Sequence, residues 1–348
     1  MSLDNPAVDG VLEPPPPTLA PVAGALLEVV DLRVTLAARG REVHAVDGLS
    51  YAVAQGQTVA IIGESGSGKT VSSRAVMGLL PPSARVEGSV RFQGVDLLGL
   101  PERELRRRRA VDLAMVLQDP ARSLDPTMRV GAQITEAIRA HLPLSRRDAK
   151  ERAIELLGRV RLPDPRRRYD DYPHQLSGGM RQRVVIAAAL SCYPKLLIAD
   201  EATTALDVTT QAQIMRLLTD LQQELRMALV LISHDLGLAA TYTDEVVVMY
   251  AGRTMEHAPT RALFRNVRSP YTKALLGAIP RLDRPPHERL PVVQGRPPDL
   301  SRRMVGCPFH LRCPAATEEC AANRPLVVED PPGHRYACHH PLGEGGSR

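Results

Sequence analysis

Eight consecutive residues, Gly63, Glu64, Ser65, Gly66, Ser67, Gly68, Lys69 and Thr70, satisfy the pattern G-x-x-x-x-G-K-[ST]. Glycines so placed let the backbone bend until its N–H groups face phosphate oxygens. A helix that starts there adds the positive end of its dipole. Lys69 is then expected to reach the β- and γ-phosphates and the Thr70 hydroxyl to ligate Mg²⁺. The flanks suit this reading. The apolar run "TVAIIG" predicts a buried strand, and a helix is expected from Lys69 to about Leu80, stopped by "PP".

A second chemical pair closes "KLLIADE". Apolar residues ahead of Asp200 predict a buried strand ending in a carboxylate that can hold Mg²⁺ through water. Glu201, one residue on, points elsewhere and can polarise an attacking water. Between the two motifs lies "LSGGM", where Ser177, Gly178 and Gly179 open the helical pattern "RQRVVIAAAL". Such a turn is a further anion site, although alone it would be an ordinary helix cap.

Of the five cysteines, four crowd the C-terminal part: Cys307, Cys313, Cys320 and Cys338, spaced C-x5-C-x6-C-x17-C. Four thiolates suit tetrahedral Zn²⁺ or a [4Fe–4S] cluster, and unligated reduced thiols are the plain alternative. Structural zinc favours short C-x2-4-C pairs, which are absent, so spacing tilts toward the cluster. His310, His339 and His340 are reserve ligands if the metal is zinc. A Pro-rich tail with few apolar residues is expected to need such a staple to fold against the body.

These groups need a frame to position them. The strands "ALLEVVDLRVTLA" and "VHAVDGLSYAVA" turn at "RGRE", and the buried-strand candidates "VDLAMVLQ", "KLLIAD", "MALVLIS" and "DEVVVMY" alternate with helical patterns. That alternation predicts an α/β core with a largely parallel sheet. Residues from about 120 to 190 read as a helical insertion, with "GAQITEAIRAHL" and "RRDAKERAIELLGRV" its best helices. Residues 1–24, with "PPPP", read as a disordered leader, and after about 281 rising Pro density marks a linker.

With 44% apolar and 24% charged residues the chain has a globular composition, and its longest apolar runs fall far short of a bilayer span. The N-terminus lacks a secretory pattern, so a cytoplasmic location is expected, which disfavours structural disulfides. The net charge of +5 is modest. The runs Arg106–Arg109 and Arg166–Arg168 read first as solvated faces, with anionic lipid or a partner as the sharper reading. Three Phe, no Trp and no aromatic–basic alternation argue against nucleic acid.

The order of "GESGSGKT", "VLQDP", "LSGGMRQR", "LLIADE", "TALD" and "LISHD" resembles the ATP-binding subunits of ABC transporters. With "YPHQLSGGMRQRVVIAAAL", "RSPYTKALLGAIP" and "GCPFHLRCPAATEEC", it resembles the dipeptide/oligopeptide (and nickel) importer ATPases over nearly everything after residue 25. The resemblance implies an α/β P-loop ABC ATPase domain over 25–280, with an N-terminal antiparallel β-subdomain and the helical insertion. A cysteine-containing C-terminal region follows over 281–348.

It further implies ATP hydrolysis with Mg²⁺ held by Thr70, Gln118 and Asp200. Glu201, His234 and Gln118 act at the γ-phosphate, and Asp207 sits at a dimer seam. Ser177, Gly178 and Gly179 would cap the ATP held by another subunit, its own copy or a related chain. Two membrane permeases and an extracytoplasmic solute-binding protein complete the implied assembly, with this chain peripheral at the cytoplasmic face of the inner membrane. Some members carry a [4Fe–4S] cluster in this tail. Two departures stand out. Ala202 replaces the usual Pro, and the first hairpin lacks the aromatic that stacks on adenine, leaving Val43 or His44 to cover it. A soluble ABC ATPase of DNA repair or translation would need a coiled-coil insertion, a zinc-finger insert or a second nucleotide domain, none of which is visible. A P-loop kinase sits poorly with "LSGGM". The solute carried, a peptide, nickel or another small molecule, is not written in this chain.

Overall fold

In the computed structural model, residues 24–38, 40–204, 206–279 and 293–343 are described. The expected leader, Gly24 aside, and linker residues 281–292 lie outside the described residues. The chain opens with β1 (Ala25–Ala38), β2 (Arg41–Ala54), β3 (Thr58–Ile62), α1 (Lys69–Val76), β4 (Arg85–Phe92), β5 (Val95–Asp96), α2 (Glu102–Arg108) and β6 (Leu113–Val116). A helical stretch follows: α3 (Pro120–Ser123), α4 (Val130–His141), α5 (Arg146–Arg159), α6 (Pro165–Arg168) and α7 (Gly178–Ala189). Then come β7 (Leu196–Asp200), α8 (Val208–Leu225), β8 (Ala228–Ser233), α9 (Leu236–Tyr242), β9 (Glu245–Tyr250), β10 (Arg253–Pro259), α10 (Thr260–Arg265) and α11 (Pro270–Gly277). The C-terminal part adds α12 (Glu318–Ala322), β11 (Val327–Glu329) and β12 (Arg335–Ala337).

Among the described residues there are two sheets, ordered β2-β1-β4-β5 and β11-β12-β10-β9-β3-β8-β7-β6. In the larger one, β9, β3, β8, β7 and β6 run parallel. Every residue of β3, β7 and β8 is buried. Strands covered on both faces read as unbroken apolar runs, which is why these three were legible. The smaller sheet is antiparallel, and its Leu27, Val29, Leu49 and Tyr51 pack on Ile61, Ile198 and Val230 of the larger one.

The helical stretch has its own apolar stripe. Val130, Ile134 and Ile138 on α4 meet Ala149, Ala153, Leu156 and Leu157 on α5, at the three- and four-residue spacing of helix faces. Among the described residues no helix is long and apolar enough to cross a membrane.

Three expectations need correction. Helix α1 ends at Val76, short of Leu80, because Gly78 takes a left-handed conformation (φ 61°). There the Leu79 N–H reaches the Arg74 carbonyl and the Gly78 N–H the Ala75 carbonyl, a glycine-terminated helix end that needs no proline. The run Arg106–Arg109 is not uniformly solvated. Arg109 turns inward and donates to the Met77 and Gly78 carbonyls at 2.9 and 2.7 Å. The tail, finally, packs on the body through strand pairing and apolar contacts. Strand β12 pairs with β10, and Phe309, Cys307 and Cys320 join Tyr250, Met255, Leu263 and Tyr271 in one apolar cluster. The sparse apolar residues of the tail complete the core of the body and need no core of their own.

Phe309 is 2% exposed and stands edge-on to Tyr250 and Tyr271 at 5.4 and 5.2 Å. Truncation there opens a cavity between tail and body. Phe309→Ala is predicted to lower stability by about 3–5 kcal/mol in denaturant unfolding. A loss below about 1 kcal/mol would show that this contact does not hold the tail.

Candidate nucleotide site

Parallel register gathers the site. Ile62 of β3 pairs with Ser233 of β8, Ile232 of β8 with Asp200 of β7, and Ala199 of β7 with Val116 of β6. The strands therefore end together, and the segments beyond them, carrying Gly63, His234, Glu201 and Gln118, share the carboxyl edge of the sheet. That edge is where open α/β sheets bind ligands.

Gly68 caps α1 with φ 99°. A Cβ there would stand 2.2 Å from the Ala45 carbonyl oxygen, and one on Gly63 would stand 2.2 Å from that of Met249. The loop is thus wedged between the β2 backbone and the end of β9. Lys69 is 4% exposed, and its Nζ donates to the Gly63 and Glu64 carbonyls at 2.7 and 3.0 Å. Burial pushes the Lys69 ammonium down, while Glu201, Asp200 and Glu64 push it back up. Ser67 Oγ is buried without a hydrogen-bond partner in the protein. That leaves its hydrogen-bonding capacity open to a ligand held in the loop. Glu64 is turned away, its N–H donating to the Tyr271 hydroxyl at 3.1 Å and its carboxylate paired with Arg312. Ser65 and Gly66 lie between on the exposed side of the loop.

Thr70 Oγ1 donates to Asp200 Oδ1 at 3.0 Å, across 130 residues of sequence. Asp200 is 1% exposed, and burial raises its carboxyl, with Thr70 opposing and Glu201 adding to the rise. Glu201 follows in a left-handed conformation (φ 48°) that swings its side chain off the strand path. Gln118 Nε2 donates to Glu201 Oε2 at 2.6 Å, and His234 Nδ1 stands 3.8 Å from Glu201 Oε1. Lys69, Thr70, Gln118, Asp200, Glu201 and His234 thus form one linked constellation. Ala202 is buried in the core beneath the helical stretch.

The structure does not bring the "LSGGM" turn to that constellation. Ser177 caps α7 by accepting from the Met180 N–H at 3.4 Å, and Asp207 caps α8 by accepting from the Thr210 N–H at 2.9 Å. They flank a separate cavity of about 370 Å³ together with Gly178, Gly179 and Arg183, and no residue of the phosphate loop lines it. His44 Nδ1 meets Thr35 Oγ1 at 3.2 Å, one residue before the Ala45 carbonyl that abuts Gly68.

The four tail cysteines line one cavity of about 20 Å³, with His310, His339 and His340 on its wall. That volume is about one water-sized sphere. Burial raises the Cys307, Cys313 and Cys338 thiols, Cys338 to about 11, and the neighbouring thiols add to each rise. The histidines already have partners: His310 Nδ1 with the Cys307 carbonyl, His339 Nε2 with the Asn323 carbonyl and His340 Nε2 with Thr317 Oγ1. Among the described residues no group of three or more His, Cys, Asp or Glu is arranged to hold a metal ion. Sequence reading missed the roles of Tyr271 and Arg312, which touch the phosphate loop from the C-terminal part. No spacing rule signals a contact 207 or 248 residues away.

Residues 46–204 match the ABC transporter family, and residues 255–320 match the oligopeptide/dipeptide transporter C-terminal region. The chain is 50% identical to the oligopeptide transport ATP-binding protein OppD of Salmonella typhimurium over 92% of this chain and 96% of that one. It is 48% identical to the dipeptide transport ATP-binding protein DppD of Escherichia coli over 92% of this chain and 98% of that one. Among solved structures, the dimeric post-hydrolysis state of the ATP-binding cassette MJ0796 bound to ADP and Pi aligns with a TM-score of 0.61 at 27% identity. It covers 68% of this chain and 99% of that chain.

Gly68 offers a direct test of the loop geometry. Gly68→Ala adds the Ala45 clash to backbone strain of about 1–3 kcal/mol. MgATP affinity is predicted to fall at least about tenfold in equilibrium binding. An unchanged Kd would mean that α1 can retract without disturbing the loop.

Proposed function

This chain belongs to the ABC transporter ATP-binding subunits of the oligopeptide and dipeptide class, and from that premise we propose that it hydrolyses ATP to power import of di- and oligopeptides through partner permeases. The observation that carries the reading is the linked set Lys69–Thr70–Asp200–Glu201–Gln118 at one sheet edge, with the Ser177 turn on a separate cavity. The phosphate loop and the Ser-Gly-Gly turn of one chain do not share a ligand, so each needs a counterpart on a second ATPase subunit. The solved dimeric cassette is consistent with that pairing.

In this reading the loop N–H groups and Lys69 bind the phosphates of ATP. The hydroxyl of Thr70 and the carboxylate of Asp200, two hard oxygen donors 3.0 Å apart, fit Mg²⁺, with the Gln118 amide oxygen as a third donor. When bound, that ion supplies charge neutralisation at the β- and γ-phosphate oxygens. Glu201 orients the attacking water and takes up its proton, Gln118 holds the Glu201 carboxylate in place, and His234 reaches the γ-phosphate side. Asp207 stands at the seam to the partner, and Val43 or His44 covers the adenine face. Two permeases receive the helical stretch, with an extracytoplasmic binding protein delivering the peptide, and the chain works at the cytoplasmic face of the inner membrane. The range 25–280 is the ATPase unit and 281–348 the C-terminal region.

Glu201→Gln is predicted to keep MgATP binding within about twofold while slowing hydrolysis by at least about a hundredfold in the assembled transporter. Lys69→Ala should weaken binding itself. Near-normal turnover by Glu201→Gln would remove Glu201 from the reaction.

We also propose that the four tail cysteines take a thiolate-held metal group, a [4Fe–4S] cluster with Zn²⁺ as the alternative. The donor set fits in kind: four thiols face one space. As they stand no three of these side chains are arranged to hold an ion, so either group requires the thiols to move. The group would supply a structural cross-link for the tail. Anaerobic purification is predicted to give a brown protein with about four iron and four sulfide per chain, colour that Cys313→Ser loses. A colourless protein with one zinc would replace the cluster by the ion, and metal-free protein after anaerobic handling would end both readings.

A further inference from the structure

Arg312 comes from the C-terminal part, one residue before Cys313, yet its guanidinium lies against the phosphate loop. Nη1 donates to Glu64 Oε2 at 2.6 Å and to the Tyr250 hydroxyl at 2.9 Å. Nη2 donates to Glu64 Oε1 at 3.0 Å and to the Val293 carbonyl at 2.9 Å, and Nε donates to the Gln294 carbonyl at 2.7 Å. All five N–H groups of the guanidinium are used. The side chain is 4% exposed, and its Cζ lies 5.5 Å from the Tyr250 ring centroid and 5.9 Å from that of Phe309.

Glu64 receives this fork on its carboxylate while its N–H is held by Tyr271 and its carbonyl accepts from Lys69. Every polar group of the residue following Gly63 is therefore fixed, two of the three by side chains from beyond residue 270. The carbonyls of Gly63 and Glu64 are also where Lys69 Nζ rests. Whatever sets the Glu64 peptide sets the starting position of the lysine that is to meet phosphate.

We propose that Arg312 is a positioning residue for the phosphate loop, so that the C-terminal part is a structural component of the ATP site. The inference rests on the reading of Gly63–Thr70 as that site. With Arg312 in place the Glu64 carboxylate is neutralised and turned from the loop mouth. Without it, an anionic side chain next to Gly63 is free to approach the phosphates and repel them. Lysine cannot replace the fork, since its ammonium is a point charge that cannot bridge both carboxylate oxygens and three other acceptors in one plane. The residues that act on the attacking water are not touched, so the defect belongs in nucleotide binding and not in turnover.

The test measures Kd for MgATP on the full chain, and KM and kcat on the assembled transporter. Arg312→Lys is expected to raise Kd and KM about tenfold with kcat within about twofold. In a Glu64→Gln background the same substitution should cost less than about threefold, because there is no longer a carboxylate to release. Arg268→Lys serves as the control. Arg268 ties the tail to the body through Asp330 and the Leu342 carbonyl without reaching the loop, and its loss should leave KM unchanged. A KM for Arg312→Lys within twofold of wild type, additive effects in the double variant, or an equal rise for Arg268→Lys would each overturn the assignment. Should Arg312→Lys fail to fold, Glu64→Asp, which keeps the charge but shortens it out of the fork, must raise KM at least about threefold, and no change would overturn the inference equally. Lys69→Ala, measured alongside, separates the two levels: if it binds MgATP normally, the nucleotide-site reading itself falls.

Discussion

The hydrogen bond from Thr70 to Asp200 joins the helix after one strand to the end of a strand two positions away in the sheet. It exists because β3, β8 and β7 run parallel in a register that ends all three at one edge. Side chains alternate faces along a strand, so a one-residue slip of β7 would carry Asp200 to the other face and Glu201 with it. The burial of every residue in these strands makes that slip costly, since it would also move Ile198 and Leu197 out of their separate apolar clusters. Chemistry and packing are therefore locked to the same register. The rest of the constellation follows from it: Gln118 and His234 reach Glu201 only because β6 and β8 finish beside β7.

Two kinds of ties hold the C-terminal part. Apolar ties run through the Tyr250, Tyr271 and Phe309 rings, with centroids 4.6 to 5.4 Å apart. Polar ties run through buried and half-buried groups: Glu256 accepts from His334 and from the Arg268 and Ser269 backbone N–H groups, and half-buried Asp47 meets Arg253, which in turn reaches the Met304 and Gly306 carbonyls. Buried charges so satisfied specify one docking geometry more than they add stability. A tail held at several fixed points can transmit its position to the loop it touches.

What the sequence revealed was local. The phosphate-loop pattern, the strand before Asp200 and the helices of the insertion were all legible, because each is written in contiguous residues whose period or spacing has one physical cause. The antiparallel strands β10, β11 and β12 were not. Strand β11 has three exposed residues and β12 three in all, too short for any alternation to register. The "PP" stop overshoots the end of helix α1, because Gly78 ends it first. A tail poor in apolar residues looks unable to pack until its partner surface on the body is in view. Phe309 shows the gap: one aromatic in a polar stretch carries no pattern, and its value depends on two tyrosines in other elements.

The pairing of β12 with β10 also bears on self-association. Without the C-terminal part, the seven residues of β10 would form the open edge of an eight-stranded sheet reduced to six, with a row of backbone N–H and C=O groups ready to accept a strand from another molecule. The tail moves that edge outward to β11, which is three residues long, ends on Glu329 and runs directly into Asp330, Pro331 and Pro332. Prolines cannot donate to a ladder, and acidic side chains disfavour pairing with another edge. The same hairpin that docks on β10 thus leaves the sheet with a border too short and too interrupted to template aggregation.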